Sequence, residues 1–79
     1  VMNKPFLAVD QGGNVYVTDP ETYRVIKFSG QGQVLAVWGK RGSDLGSFNL
    51  PTGIVVDQVG RVVVSDSANH RLLVFDPIQ

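Results

Sequence analysis

The chain has 79 residues, of which 43% are hydrophobic, seven are basic and seven are acidic. This composition predicts one small globular domain and excludes a disordered chain. The zero formal net charge disfavours nucleic-acid binding, because neutralising phosphates usually requires a basic excess. The absence of cysteine excludes disulfides and thiolate metal ligands.

No apolar run approaches the roughly 20 residues that a membrane span requires, so no membrane association is expected. The sequence has no basic segment followed by an apolar core, so it does not predict a signal peptide. Because the chain begins at Val1, we expect a fragment or a processed product.

The first half of the chain predicts four short strands joined by turns. The candidate strands, in order, are FLAVD, NVYVTD, RVIKF and VLAVW. The DQGG turn starts at Asp10, and Gly13 is available for a positive φ. Residues 39–51, GKRGSDLGSFNLP, are expected to form a long connecting loop.

The second half predicts three more strands, GIVVD, RVVVSD and RLLVF. The consecutive residues Val62, Val63 and Val64 leave the middle strand without a polar face, which is typical of a strand covered on both sides. No fourth strand is predicted after RLLVF.

These halves are copies of one repeat. An offset of 47 residues aligns DQGGNVYVTDPETYRVIKF with DQVGRVVVSDSANHRLLVF without a gap, and eight of the 19 positions are identical. The identical pairs are Asp10/Asp57, Gln11/Gln58, Gly13/Gly60, Val15/Val62, Val17/Val64, Asp19/Asp66, Arg24/Arg71 and Phe28/Phe75. Upstream, Pro5 matches Pro51 if the first copy lacks one residue.

Four-stranded antiparallel units at a period near 47 residues are typical of β-propeller blades. A β-sandwich has similar strand spacing but does not require two copies of one unit. We therefore predict an all-β chain of about seven strands that forms two blades. Residues 1–50 are expected to form the first blade and its connecting loop, and residues 51–79 a second, truncated blade.

The repeat also carries a family resemblance. The segment PTGIVVDQVGRVVVSDSANHRLLVF, with its looser copy PFLAVDQGGNVYVTDPETYRVIKF, resembles an NHL repeat. The segment VLAVWGKRGSDLGSFNLP resembles the linker between NHL blades. The first copy departs from the pattern where Phe6 replaces the usual glycine. The resemblance implies a propeller, usually of six blades and used mostly for binding, with a minority of metal-dependent lyases or hydrolases.

Two blades alone would leave large apolar faces open to water, more than soluble monomers usually expose. We expect those faces to carry six residues in particular: Val15, Val17, Val62, Val64, Leu72 and Val74. Two completions are open: a longer propeller of which this is a part, or a head-to-tail ring of copies, with a trimer as the best guess. The edge of RLLVF could also be filled by another chain.

The repeated charged positions have a structural and a functional interpretation. Asp19 and Arg24 recur as Asp66 and Arg71 at the same interval of five, either as a ligand site in each blade or as strand-end pairs in which Asp bonds turn amides. We favour the structural interpretation, because catalytic residues rarely recur in every unit. The repeated Phe28 and Phe75 are predicted to be structural as well.

Asp10 and Asp57 could be calcium ligands, but each turn supplies a single carboxylate where a calcium loop needs several oxygens. We therefore predict turn capping. His70 aligns with Tyr23, which favours a packed ring with one hydrogen bond over proton transfer or metal binding.

The connecting loop holds the candidate binding residues, since loops on a rigid scaffold commonly carry binding. They are Trp38, Lys40, Arg41, Asp44 and Phe48, and the alternative is that the two aromatic residues pack the blade junction.

No catalytic, cofactor or metal residue is predicted. No serine has a Gly-x-Ser-x-Gly setting, and no glycine loop leads into a helix. We predict a non-enzymatic propeller module that acts as a scaffold or a protein- or ligand-binding platform. The alternatives are two blades of a metal-dependent lyase or hydrolase, an RNA-binding propeller, and a chain made to test how repeats assemble.

Overall fold

A computed structural model describes residues 4–39 and 48–76 and is all-β. Its strands are β1 (Leu7–Val9), β2 (Val15–Asp19), β3 (Arg24–Phe28), β4 (Val34–Trp38), β5 (Pro51–Val56), β6 (Val62–Asp66) and β7 (Arg71–Phe75). A single 3-10 turn, Ser67–Asn69, interrupts them in the described ranges. None of the described residues forms a helix that is long and apolar enough to cross a membrane.

The strands form two antiparallel sheets of neighbours in chain order, β1-β2-β3-β4 and β5-β6-β7. These are the two predicted propeller blades, called blade 1 and blade 2 below, and the prediction of about seven strands is confirmed. The same backbone hydrogen bond closes the β1–β2 and β5–β6 turns. Gly13 N–H donates to the Asp10 carbonyl and Gly60 N–H donates to the Asp57 carbonyl, both at 3.1 Å. Both glycines have a positive φ, as the turn sequence predicts.

The blades stack face to face. Alternate residues of β2 and β3 point toward blade 2, and Tyr16, Thr18 and Val25 are almost completely buried there. The Thr18 hydroxyl also donates to the Thr52 carbonyl across the junction at 3.1 Å. On the other side, Val62 and Val64 of β6 are completely buried.

The prediction that Val62 and Val64 lie on an open outer face is therefore wrong. The two blades have the same orientation in the stack. A repeat position that points away from the neighbouring blade in blade 1 therefore points toward the neighbouring blade in blade 2. Their counterparts Val15 and Val17 alternate with the junction residues of β2 and so point away from blade 2. The predicted exposure of Leu72 and Val74 is correct, at 69% and 63%.

An aromatic cluster closes the outer part of the junction. The rings of Trp38 and Phe48 each lie 5.9 Å from that of Phe75 in edge or tilted contacts. The Phe48 ring also packs against Gly39, where no side chain fits. The φ of Gly39 is +106°, and an added Cβ would lie 2.5 Å from the Phe48 ring.

Each blade leaves one apolar face uncovered. The large exposed residues on blade 1 include Leu7, Val9 and Val37, and those on blade 2 include Val55, Leu72 and Val74. Both blades therefore present apolar side chains to solvent in the described part of the chain.

Candidate functional site

The repeated turn carboxylates lie at one end of the blade junction. Asp57 accepts hydrogen bonds from the Val59 and Arg61 amides at 3.0 and 2.9 Å and pairs with the Arg61 side chain at 2.6 Å. The hydrogen bond from the Arg61 side chain, aided by the two amides, lowers the pKa of Asp57. This carboxylate organises its own turn.

Asp10 is held in the same way and also bonds the core. It accepts hydrogen bonds from the Asn14 amide at 3.0 Å and from the Tyr16 hydroxyl at 2.9 Å. Burial alone would raise the pKa of Asp10, but these hydrogen bonds outweigh it and leave the pKa below its ordinary value. Burial, together with the Asp10 carboxylate, raises the pKa of Tyr16 to about 12, so its hydroxyl remains a donor.

A small cleft of about 150 Å³ separates these two turns, and its lining includes Asp10, Gln11, Asp57 and Gln58. Both carboxylates already bond their own turns, as described above. Within residues 4–39 and 48–76, no group of three or more His, Asp or Glu side chains could hold a metal ion. In the part of the chain that the structure describes, the cleft therefore brings together two carboxylates that are already bonded within their turns.

The two repeated Asp–Arg pairs have different environments. The Asp66 carboxylate is completely buried, accepts the Asn49 and Leu50 amides at 3.0 and 2.8 Å, and lies 3.4 Å from Arg71. It thus fixes the segment that leads into β5, which lies outside the turn whose amides it was expected to bond. The Asn69 side chain donates a further hydrogen bond at 2.7 Å.

These partners also control the ionisation of Asp66. Burial alone would raise its pKa, but the Leu50, Asn69 and Asn49 hydrogen bonds and the charge of Arg71 outweigh burial and lower the pKa.

In blade 1, the counterpart pair is half-exposed. Asp19 lies 3.8 Å from Arg24 and accepts the Thr22 hydroxyl at 2.7 Å. Thr22 in turn accepts from Arg24 Nε at 2.9 Å. Asp19 is the last residue of β2 and points away from blade 2, like Val15 and Val17. The same repeat position therefore lies at the surface in blade 1 and at the junction in blade 2.

His70 is exposed, so the expectation of a packed ring is wrong for this residue. It shares with its aligned partner Tyr23 a left-handed backbone, with φ values of 53° and 61°. His70 N–H closes the short 3-10 turn on the Ser67 carbonyl at 3.2 Å. The property that the repeat keeps at this position is the turn conformation, while only Tyr23 packs against the core.

Of the predicted binding loop, Trp38 and Phe48 belong to the aromatic cluster of the junction. Lys40, Arg41 and Asp44 lie outside the described residues. The cluster therefore uses two of the five candidates for packing between the blades.

The alignment did not single out a buried pair in blade 1. The Lys27 ammonium lies 5.4 Å from the centre of the Tyr16 ring, and both residues are more than nine-tenths buried. Their counterparts Val63 and Val74 are apolar. The sequence signal for this pair was therefore Lys27, a charged residue among the apolar residues of RVIKF. This contact is a packing feature of the junction.

Comparison with known proteins identifies the repeat. Residues 48–75 match the family model described as NHL repeat. The chain is 38% identical over 77 residues to NHL repeat-containing protein 3 of Mus musculus, which covers 94% of this chain and 22% of that protein. It is 44% identical over 50 residues to Protein lin-41 of Caenorhabditis elegans, which covers 63% of this chain and 4% of that protein.

A third relative is an enzyme by name, Peptidyl-glycine alpha-amidating monooxygenase A of Xenopus laevis. The two sequences are 36% identical over 77 residues, which covers 90% of this chain and 8% of that protein. The chain thus spans less than a quarter of the length of each of these three relatives.

Proposed function

Because the chain belongs to the NHL-repeat family, we propose that it is a non-enzymatic pair of propeller blades that builds a protein- or ligand-binding platform by self-assembly. The supporting observation is a correspondence between the open and the buried faces of the two blades. Each open face is the repeat counterpart of a face that is already buried at the blade junction.

The open face of blade 2 corresponds to the buried face of blade 1. Leu72 is the repeat counterpart of Val25, yet Leu72 is 69% exposed and Val25 is completely buried. Ser65 corresponds to Thr18, whose hydroxyl bonds across the junction. The open face therefore repeats the residue types of a face that stacks within the chain.

The open face of blade 1 corresponds in turn to the buried face of blade 2. Leu7 is 66% exposed, whereas its counterpart Ile54 is 9% exposed. Outward-facing Val15 and Val17 correspond to the buried Val62 and Val64. Blade 2 of one copy can therefore stack on blade 1 of the next copy much as the blades stack within the chain.

Such a contact is head to tail, so successive copies rotate in one direction until the ring closes. Three copies supply the six blades that the family resemblance implies. Burial of both open faces removes the apolar surface that a soluble chain would otherwise expose. The loops at the two ends of the ring then form the binding surfaces, as loops on rigid scaffolds commonly do.

The direction of stacking can be tested with two variants. Leu7→Glu places a charge on the open face of blade 1, and Leu72→Glu places one on the open face of blade 2. Both side chains are largely exposed within the chain, so each variant is expected to keep its fold. Each alone should be monomeric by light scattering, because burying an unpaired carboxylate opposes stacking.

A one-to-one mixture of the two variants should form a heterodimer, because one unmodified blade 1 face then meets one unmodified blade 2 face. Leu72→Ser provides the control without a charge, and it should weaken assembly less than Leu72→Glu. A face that pairs with its own kind would contradict the proposal: one variant would then stay fully assembled by itself, and mixing would produce no new species.

A further inference from the structure

Two glutamine side chains that are identical in both copies of the repeat have no contact that explains them. The other polar identical pairs, two of aspartate and one of arginine, form the hydrogen bonds and ion pairs described above. Gln11 and Gln58 are exposed, and within residues 4–39 and 48–76 neither carboxamide has a hydrogen-bond partner. The structure of the chain alone therefore does not account for glutamine at this position.

The turns do not require glutamine either. Each glutamine directly follows the aspartate whose carbonyl closes the turn, at Asp10 or Asp57. This second position of a turn accepts most residue types, and glycine, proline, asparagine, aspartate and serine are the residues that turns favour. Both carboxamides are thus available for a ligand.

The two glutamines meet at the cleft between the blades. Gln11 and Gln58 line the cleft of about 150 Å³ that separates the β1–β2 and β5–β6 turns. Val9 and Val56 supply the apolar part of its lining. All of these residues belong to one chain, so the cleft does not depend on the assembly of copies proposed above.

We propose that Gln11 and Gln58 bind peptide groups of an extended, uncharged segment of a partner protein that lies across the two turns. A carboxamide has an NH₂ donor and a C=O acceptor. It can therefore accept from a peptide N–H and donate to a peptide C=O at the same time. The two apolar residues of the lining can contact the side chains of the bound segment.

The spacing of the blades fits such a segment. Sheets that pack face to face lie about 10 Å apart, and an extended chain advances about 3.3 Å per residue. Equivalent positions of neighbouring blades are therefore about three residues of extended chain apart. One segment can bond Gln11 and Gln58 through peptide groups that are separated by this interval.

The charges around the cleft favour an uncharged ligand. The Asp10 carboxylate accepts three hydrogen bonds, from the Asn14 amide, the Asn14 side chain and Tyr16. Asp57 likewise accepts three, from the Val59 and Arg61 amides and the Arg61 side chain. A carboxylate has about four acceptor sites, so each has little capacity left for a cation, while both repel an anion. The carboxamides are the groups that remain for binding.

The test is an NMR titration of the full 79-residue chain with the peptide acetyl-Thr-Ser-Thr-Ser-Thr-Ser-Thr-amide. The side-chain NH₂ resonances of Gln11 and Gln58 should shift saturably and with one dissociation constant. Gln31 and Gln33 are the internal controls, because they are exposed in the β3–β4 turn and do not line the cleft. Equal shifts at all four glutamines, or no saturation up to the solubility limit of the peptide, would overturn the proposal.

Substitutions separate binding by the two carboxamides from binding elsewhere on the turns. Gln11→Ala and Gln58→Ala should each weaken peptide binding by about three- to tenfold, the usual effect of losing one or two exposed hydrogen bonds. Gln31→Ala is the matched control and should leave binding unchanged. All three side chains are exposed, so the fold should be kept. Unchanged affinity in both cleft variants would contradict the proposed contacts.

Two small probes distinguish a peptide-group site from a cation site. N-methylacetamide represents the peptide group, and methylguanidinium chloride represents an arginine side chain. At equal concentration and ionic strength, N-methylacetamide should cause the larger shifts of the Gln11 and Gln58 carboxamides. Larger shifts with methylguanidinium would assign recognition to Asp10 and Asp57 and overturn the proposal. Neither result bears on the stacking of copies, which the mass of the native species tests separately.

Discussion

The two blades are copies of one repeat, yet identical residues have opposite environments in them. Asp66 is completely buried with two backbone amides as donors, while Asp19 is half-exposed beside Arg24. Val62 is completely buried and its counterpart Val15 points outward. Burial in this repeat therefore depends on whether a neighbouring blade is present, since the residue types are the same.

The largest expected difference between the blades concerns these aspartates. Asp66→Ala should lower the free energy of unfolding by about 3–5 kcal/mol, because it leaves buried donors and Arg71 without their acceptor. Asp19→Ala should cost about 1 kcal/mol or less, as is usual for exposed ion pairs. Urea unfolding of dilute samples provides both values, and equal losses would contradict the assigned difference between the blades.

A second comparison uses the apolar pair Val25 and Leu72. Val25→Ala should cost about 2 kcal/mol of unfolding free energy in the dissociated chain, because it opens a cavity at the blade junction. Leu72→Ala should change that value by less than about 0.5 kcal/mol but should weaken self-association. Loss of unfolding free energy without loss of association in Leu72→Ala would contradict the assigned role of this face.

Acid should destabilise the chain mainly through carboxylates at the junction and in the turns. The fold lowers the pKa values of Asp10, Asp57 and Asp66. Their stabilisation is therefore fully present above the ordinary carboxyl pKa of about 4 and is lost as the pH falls through the lowered values. Asp66→Asn should flatten the dependence of the urea midpoint on pH between 5 and 3, and a slope equal to that of the wild type would contradict this assignment.

The smallest expected effect concerns the left-handed positions. His70→Gly should be neutral or stabilise the chain by up to about 1 kcal/mol, because it removes a side chain from a strained backbone conformation and the His70 ring is exposed. Tyr23→Gly should be destabilising, because Tyr23 packs on the core. Thermal unfolding distinguishes the two, and a loss of stability in His70→Gly would contradict the exposed position of the His70 ring.

The sequence predicted the strands well because their signals are local. Apolar runs and turn glycines place RVIKF, VLAVW and RLLVF at the observed strand bounds. It could not predict which valines of the triplet Val62–Val64 face the junction, since a strand apolar on both sides carries no alternation. The stacking direction comes from contacts between residues distant in sequence.

The candidate site was predicted less completely for the same reason. Asp66 binds amides 16 and 17 residues away, which no local pattern reveals. The equivalence of His70 and Tyr23 was visible, but a shared positive φ does not follow from two ring side chains, because this conformation is uncommon for residues other than glycine. The pairing of Asp19 with Arg24 and of Asp66 with Arg71 was within reach, because it joins the ends of adjacent strands.

The mass of the native species distinguishes a ring of stacked chains from an isolated pair of blades. We predict that the folded 79-residue chain at micromolar concentration has about three times its monomer mass of 8.6 kDa by light scattering and native mass spectrometry. Mixed Leu7→Glu and Leu72→Glu chains should have twice the monomer mass. A folded, soluble wild-type monomer at the same concentration would contradict the proposal that the two open faces stack on each other.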